Sequence, residues 1–189
     1  MTEWRVEPAT AEDAAGVAEV QTVGWQRGFA GLLPSEFLSA RVGKPETWRE
    51  RLQAPSPYAT FVARHTATTG EPADVIGFIT VGPASPPAPS GSQVGQLYAI
   101  YVRSEAWGTG VGWRLHNVGM DTLRAAGFTE AVLWSLVGNR RTLAFYRRQG
   151  WVLTPVRHVE REPGADLETE LLRLDLTAEP RQTSQGRAR

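Results

Sequence analysis

Three glycines at alternating positions, Gly108, Gly110 and Gly112, separate an apolar run over residues 96–102 from a stretch with helical periodicity. Glycine lets a backbone approach an anion closely, and the first N–H groups of a helix have no partner inside it. The helix dipole favours negative charge at the same end. The residue types therefore suit phosphate binding, although a glycine-rich turn without a ligand has the same composition. Spacing narrows the choice. A P-loop needs G-x-x-x-x-G-K-[ST], and no Lys-Ser or Lys-Thr pair follows Gly112. A dinucleotide fingerprint, G-x-G-x-x-G, needs glycine where this chain has Trp113. What is left is G-x-G-x-G after a strand.

A second constellation lies downstream. Asn139 and Tyr146 are seven residues apart, almost two helical turns, which puts both on one side of a helix about 10 Å apart along its axis. Such a stripe can meet an elongated ligand. Asn139 is equally suited to cap the helix, and Tyr146 to sit half-buried with its hydroxyl satisfied. Arg147 and Arg148 follow, placed either to meet phosphates or to face solvent.

The 189 residues fit one domain with enough length for a substantial core. A hydrophobic fraction of 41% and a charged fraction of 21% are ordinary for a globular protein. Formal net charge is zero, so nothing global points to nucleic acid or to an anionic membrane. The absence of cysteine excludes disulfides, thiolate catalysis and zinc–thiolate sites. His65, His116 and His158 lack metal-ligand spacing, and no metal is expected. No apolar run is long enough to span a bilayer, and Met-Thr-Glu-Trp-Arg does not open a signal peptide. A cytoplasmic location is the default expectation.

These groups need elements to hold them. Residues 4–8 read as a first strand, and Thr10 with Asp13 as a variant capping box. The helix it opens carries Ala14, Val17, Ala18 and Trp25 and frays at 28–31. A short helix over 35–40 follows Pro34, and 48–52 reads as another helical turn. Residues 58–63 and 75–81 read as an antiparallel pair about turn formers at 70–72. Proline excludes regular structure from 82–91. After the strand at 96–102, a helix spans about 110–126, with Val111, Leu115, Val118 and Leu123 inward and Gly127 at its end. A buried strand over 131–137 and a helix over 140–149 come next. Strands over 151–158 and 170–176, around Pro163-Gly164, complete one domain over 1–177. Residues 178–189 have almost no apolar content and read as a disordered tail. The order predicts an α/β (α+β) fold, with a mixed, largely antiparallel sheet of six to seven strands flanked by about four helices.

The two motifs together resemble those of the GNAT superfamily of N-acetyltransferases. Tyr101-Val102 followed by Trp107-Gly-Thr-Gly-Val-Gly112 is similar to the family's acetyl-CoA pyrophosphate loop, Q/R-x-x-G-x-G/A. Asn139-Arg-Arg-Thr-Leu-Ala-Phe-Tyr146-Arg-Arg-Gln-Gly150 after a strand resembles its second cofactor motif. Trp25 and Gly31-Leu-Leu-Pro34 look like the helix–loop–helix over the acceptor site. The resemblance implies an acetyl-CoA-dependent N-acetyltransferase acting on a primary amine of a small molecule or peptide. It implies that backbone amides of Gly108, Thr109, Gly110, Val111 and Gly112 hold the pyrophosphate, with Gly110 and Gly112 the most constrained. Main-chain groups of Ile100, Tyr101 and Val102 would meet the pantetheine like an added strand. Asn139 would contact the pantetheine arm, Arg147 the nucleotide phosphates, and Tyr146 would protonate the departing thiolate. The family's Gln or Arg is Trp107 here, which removes a polar side chain but leaves the backbone donors.

The acceptor side is less defined. Trp25, Phe29, Leu32 and Trp134 are candidate walls, and each also suits a core. Many family members carry a glutamate near the position of Gln96, an amide that can position a water but cannot act as a base. Glu36, Glu160, His158 and ordered water remain as routes for the amine's proton. Members acetylate small amines, antibiotics, amino acids, peptides and proteins, so the fold does not select among them. A non-catalytic acyl-CoA-binding sensor is the alternative. Dimerisation through the terminal strands is common in such folds, which makes a homodimer the assembly to test.

Overall fold

A computed structural model describes residues 3–66, 74–89 and 91–178. The expected turn at 70–72 and all of the expected tail beyond residue 178 lie outside the described residues. Among these described residues, seven strands form one sheet: β1 (Trp4–Pro8), β2 (Ala59–His65), β3 (Val75–Pro83), β4 (Val94–Val102), β5 (Glu130–Leu136), β6 (Val152–Glu162) and β7 (Ala165–Asp175). Their order is β1-β2-β3-β4-β5-β7-β6, so β7 returns between β5 and β6. Five α-helices accompany them: α1 (Ala14–Gly28), α2 (Ser35–Ala40), α3 (Pro45–Leu52), α4 (Val111–Ala125) and α5 (Arg140–Arg148).

Both faces of the sheet are buried by apolar side chains. On one, Val17, Ala18 and Val20 of α1 and Trp48 of α3 meet Val62, Val75 and Phe78. On the other, Val111, Leu115, Met120 and Leu123 of α4 meet Ile79, Val81, Leu97 and Leu133. Val118, expected inside α4, is only half-buried, and the inward face instead takes His116 and Gly119. The strand β3 runs on through Gly82 and Pro83, which pair with Gln96 and Gly95. Proline is tolerated there because it ends the strand. The long hairpin β6–β7 exceeds expectation at its turn, where polar residues such as Glu160, Arg161 and Glu162 pair with Leu167, Asp166 and Ala165.

The functional part of this architecture is a seam that opens. All pairings are antiparallel except β4–β5, which is parallel and covers only Val94, Gly95 and Gln96 against Glu130, Ala131 and Val132. The register of β3 with β4 slips between Thr80 and Val81, leaving Tyr98 without a partner while Leu97 and Ala99 pair. A bulge of this kind bends its strand and strengthens its twist. From Leu97 onward β4 leaves β5, and a cleft opens between them.

One buried polar group in this core has a pH consequence. His116 is 3% exposed, and its Nε2 accepts a hydrogen bond of 2.8 Å from Trp151 Nε1. That bond places the imidazole proton on Nδ1, which lies 3.3 Å from Asn117 Oδ1. Burial lowers the His116 pKa from 6.5 to about 4. Between those values the unfolded chain takes up a proton that the folded chain refuses. The stabilisation is complete above pH 6.5 and is lost as pH falls through that window, about 3 kcal/mol by pH 4. Urea unfolding at several pH values should show this slope in the native protein and a shallower one in His116→Asn. Identical slopes would refute the assignment.

Candidate active site

The cleft left by the parting of β4 and β5 has a volume of about 580 Å³. One wall is β4, with Ile100, Tyr101 and Val102, continued by a 3-10 turn over Ser104–Ala106 and by Trp107 to Gly110. Trp107 Nε1 donates to the Val102 carbonyl at 2.8 Å, and Thr109 Oγ1 donates to the Ala106 carbonyl at 2.7 Å, which closes the loop tightly. Gly108 (φ +80°) and Gly110 (φ +93°) are left-handed, a region costly for residues with a Cβ. Gly110 is the N-cap of α4, so the unpaired amides of the first helical turn follow directly.

Space over this loop is open. A Cβ built on Gly108 would meet nothing within 4 Å, and one on Gly110 would find only Trp4 Cζ2 at 3.9 Å. Gly112 differs from expectation: it lies inside α4 without a left-handed φ, and a Cβ there would touch Phe145 at an ordinary 3.7 Å. The protein itself does not require glycine at that position.

The facing wall comes from β5 (Trp134, Ser135 and Leu136) and from α5. Asn139 caps α5, its Oδ1 accepting from Thr142 N at 3.2 Å, and it borders the cleft as well. The capping and lining positions proposed from sequence thus coexist in one residue. Tyr146, 5% exposed, stacks edge-on against Phe145 and Trp151. Burial raises its hydroxyl pKa, and the nearby Tyr101 adds to the rise. The phenol is therefore a held proton across the physiological range. Arg141 lies over the Trp107 ring, its guanidinium carbon 3.3 Å from the centroid, and ties α5 to the glycine loop. The N-terminal side is closed by Gly24, Arg27, Gly28 and Phe29 of the α1 end.

This geometry has a sequence counterpart. The model of the acetyltransferase (GNAT) family matches residues 27–151, which include every cleft-lining residue except Gly24. The chain belongs to the GNAT family. Among its relatives is the uncharacterized N-acetyltransferase YuaI of Bacillus subtilis, 28% identical over 144 residues, covering 75% of this chain and 76% of that protein. A mycothiol acetyltransferase of Saccharomonospora viridis is 33% identical over 90 residues, 46% of this chain, though the match spans only 29% of that longer protein. The PaiA N-acetyltransferase of Thermoplasma acidophilum, solved with coenzyme A, shares the fold with a TM-score of 0.68 at 17% identity, covering 92% and 99% of the two chains. As a GNAT member the protein is an acyltransferase, and its co-substrate is acetyl-CoA, the usual one of the family.

The GNAT cleft combines an open glycine loop at a helix start, Arg141 held over Trp107 of that loop, and a slot along the part of β4 that β5 does not pair. Not every residue expected from sequence reaches it. Phe29, Ile100, Tyr101, Val102, Trp107, Gly108, Gly110, Gly112, Trp134, Asn139 and Tyr146 border the cleft. Thr109, Val111, Arg147, Trp25, Leu32 and Gln96 do not. Val111 is fully buried in the core. Arg147 points off the helical face that carries Arg141 and Arg148, which do border the cleft. Trp25 stands behind Phe29, edge-on at 4.9 Å, and is covered by Arg41. Leu32 sits beside Gly138. Gln96 is buried, and its Oε1 accepts from Ser85 N at 3.2 Å, tying down the proline-rich loop rather than holding a water in the cleft.

Sequence reasoning missed Arg27, Tyr98, Ser135 and Arg141. The first two had no signal, because a helix-end arginine and a bulged tyrosine look like surface residues until the strands are placed. Arg141 was legible in principle, seven residues before Arg148 and so on the same helical face. Of the candidate bases, Glu36 and Glu160 are exposed, and His158 lies behind Trp134 with ring centroids 5.8 Å apart. Glu170, buried on β7 opposite Ser135, does not border the cleft.

Proposed function

We propose that this enzyme transfers an acetyl group from acetyl-CoA to a primary amine of a small molecule or peptide, by direct attack of the amine on the thioester. The reading rests above all on Tyr146, a buried, protonated phenol on the wall of a slot whose far end is an open amide loop. In this assignment the amides of Gly108 to Gly112 hold the diphosphate, and Arg141 and Arg148 add charge there. Main-chain groups of Ile100 and Val102, left unpaired by β5, meet the amide-bearing arm as a neighbouring strand would. Asn139 fixes the start of α5, and Tyr146 gives its proton to the departing thiolate.

No carboxylate borders the cleft among the described residues. The amine's proton accordingly leaves through water, and turnover should rise with pH as more of the amine becomes neutral. The same lack of a base favours a second reading, an acyl-CoA sensor without turnover. An acetyl-CoA thiol-release screen over simple amines, amino acids, aminoglycosides and peptides separates the two. Release with any acceptor supports transfer, whereas tight acetyl-CoA binding without release supports the sensor.

The same proposal places the enzyme in the cytoplasm as a homodimer. No described helix is long and apolar enough to cross a membrane. Among the described residues the outer edge of β6 is unpaired, and the strand exposes Val152, Val156 and Val159. Such an edge pairs readily with another copy. Light scattering should report a dimer that Val156→Lys converts to monomer, and a native monomer would remove this part of the proposal.

A further inference from the structure

The cleft has two sides, because it passes through the sheet where β4 and β5 part, and side chains along a strand alternate between faces. On one face Ile100 and Val102 share a core with α4 and with Phe145 and Tyr146 of α5. Ser135 is turned to that face, two residues after Leu133 of the same core, and so is its partner on β7, the buried Glu170. The glycine loop, Arg141 and Arg148 belong to the same side, at the start of α4 and along α5. On the other face Ala99 and Tyr101 pack with α1, Leu136 packs with Phe29, and Trp134 packs with Val132 and Leu171. We infer that the acceptor enters from this α1 face as a monoamine with an aromatic or branched apolar body and no second charge. It is an amine of the arylalkyl type rather than an amino acid, a polyamine or an aminoglycoside. This inference rests on the transferase reading above.

Charge separates the two faces. Among the described residues no aspartate, glutamate or lysine borders the cleft, and its three arginines all serve the other end. Arg141 and Arg148 belong to α5. Arg27 is on α1, but its Nη1 donates to Ser104 Oγ, in the turn that runs into the glycine loop. Its charge therefore goes with that loop. His158 stands behind Trp134, and Arg41 covers Trp25 and pairs with Glu162; none of these three ionisable groups borders the cleft. The α1 face thus offers the rings of Phe29, Tyr101 and Trp134, with Tyr98 at the bulge beside Tyr58. A carboxylate on the acceptor would meet no free cation there, and a second ammonium no anion. Burying either charge unpaired is costly.

The same surroundings act on the reacting nitrogen. Desolvation penalises an ammonium and favours the neutral amine, which is the form that attacks a thioester. Entry into an uncharged, aromatic-lined face leaves the proton behind in water, in keeping with a cleft that no carboxylate borders. Small residues supply room for the body. A Cβ on Gly24 would run into the Tyr101 ring, so this side of α1 is turned to β4. Gly28 lies one turn further along the same side and borders the cleft, and a Cβ there would meet nothing within 4 Å. Its φ is not left-handed, so the backbone itself does not require glycine.

A short acceptor series tests this. Thiol release from acetyl-CoA is measured with phenethylamine, isopentylamine, ethylamine, L-phenylalanine, spermidine and kanamycin. Phenethylamine and isopentylamine should exceed ethylamine in kcat/KM by about tenfold or more, the scale expected for burying such a body. Phenethylamine should exceed L-phenylalanine by a similar factor, and spermidine and kanamycin should both be slower than phenethylamine. Gly28→Leu fills the open space without straining the backbone. It should raise KM for phenethylamine, leave KM for acetyl-CoA nearly unchanged, and bring the phenethylamine-to-ethylamine ratio towards one. L-phenylalanine at or above phenethylamine, faster turnover of spermidine or kanamycin, no gain over ethylamine, or an unchanged ratio in Gly28→Leu would overturn the inference while leaving acetyl transfer intact. Binding of acetyl-CoA without release to any amine would remove the transferase reading and this inference with it. The native ratios decide the matter even if the variant fails to fold.

Discussion

Tyr146→Phe is expected to lower turnover more than tenfold while changing acetyl-CoA affinity by less than about twofold. Positioned acids contribute on the order of 10²–10⁴ in rate, and a thiolate is a comparatively good leaving group, which puts this case near the low end. Phenylalanine keeps the ring contacts to Phe145 and Trp151, at centroid distances of 5.4 and 5.7 Å, so the substitution removes a proton and little else. Steady-state thiol release and calorimetric titration with acetyl-CoA read the two quantities separately. Unchanged turnover would sink the assignment of Tyr146 as acid. Because burial pushes the phenol pKa up, its protonated form is present throughout the neutral range, and no alkaline loss of rate is expected from this group below about pH 10.

Gly110→Val should abolish detectable acetyl-CoA binding. At φ +93° a β-branched residue is a conformational outlier, and holding it there costs about 1–3 kcal/mol. Its side chain would also project into the open space above the loop, where the nearest atom is Trp4 Cζ2 at 3.9 Å. Strain and occlusion act together on the amides assigned to the diphosphate. Gly112→Ala separates the two causes, since its backbone is unstrained and its Cβ would touch Phe145 at 3.7 Å. Weaker binding in that variant reports the ligand's own approach to the helix start. Calorimetry with acetyl-CoA, with circular dichroism to show that α4 persists, makes the measurement. Intact binding in Gly110→Val would refute the placement of the phosphate loop.

The elements were readable from sequence wherever burial is one-sided, because period and side-chain type then agree. The pairing of Asn139 with Tyr146 was readable for a related reason: both lie on one short helix, where spacing alone sets direction. Quantities that depend on distant chain were not. The insertion of β7 between β5 and β6 leaves no local trace, and neither does the bulge that frees Tyr98. Gln96 meets Ser85, eleven positions before it, through a loop whose course the sequence does not specify. Trp25 and Phe29 are both aromatic and both on the end of α1, yet only the structure says which stands in front. Arg147, expected with Arg148 at the phosphates, lies about 100° round the helix from Arg148 and does not border the cleft.

The three-residue seam between β4 and β5 divides the molecule into two blocks that meet at one end only. On one side lie β1 to β4, and on the other β5, β7 and β6 with the start of α5 as their jaw. The cleft-bordering residues Arg27, Phe29, Trp134 and Leu136 sit on the jaws, and Val94 to Gln96, which close the seam, sit beyond them. Lining and closing are therefore separable properties of the chain. A lineage built this way can alter the jaws with the seam left as it was.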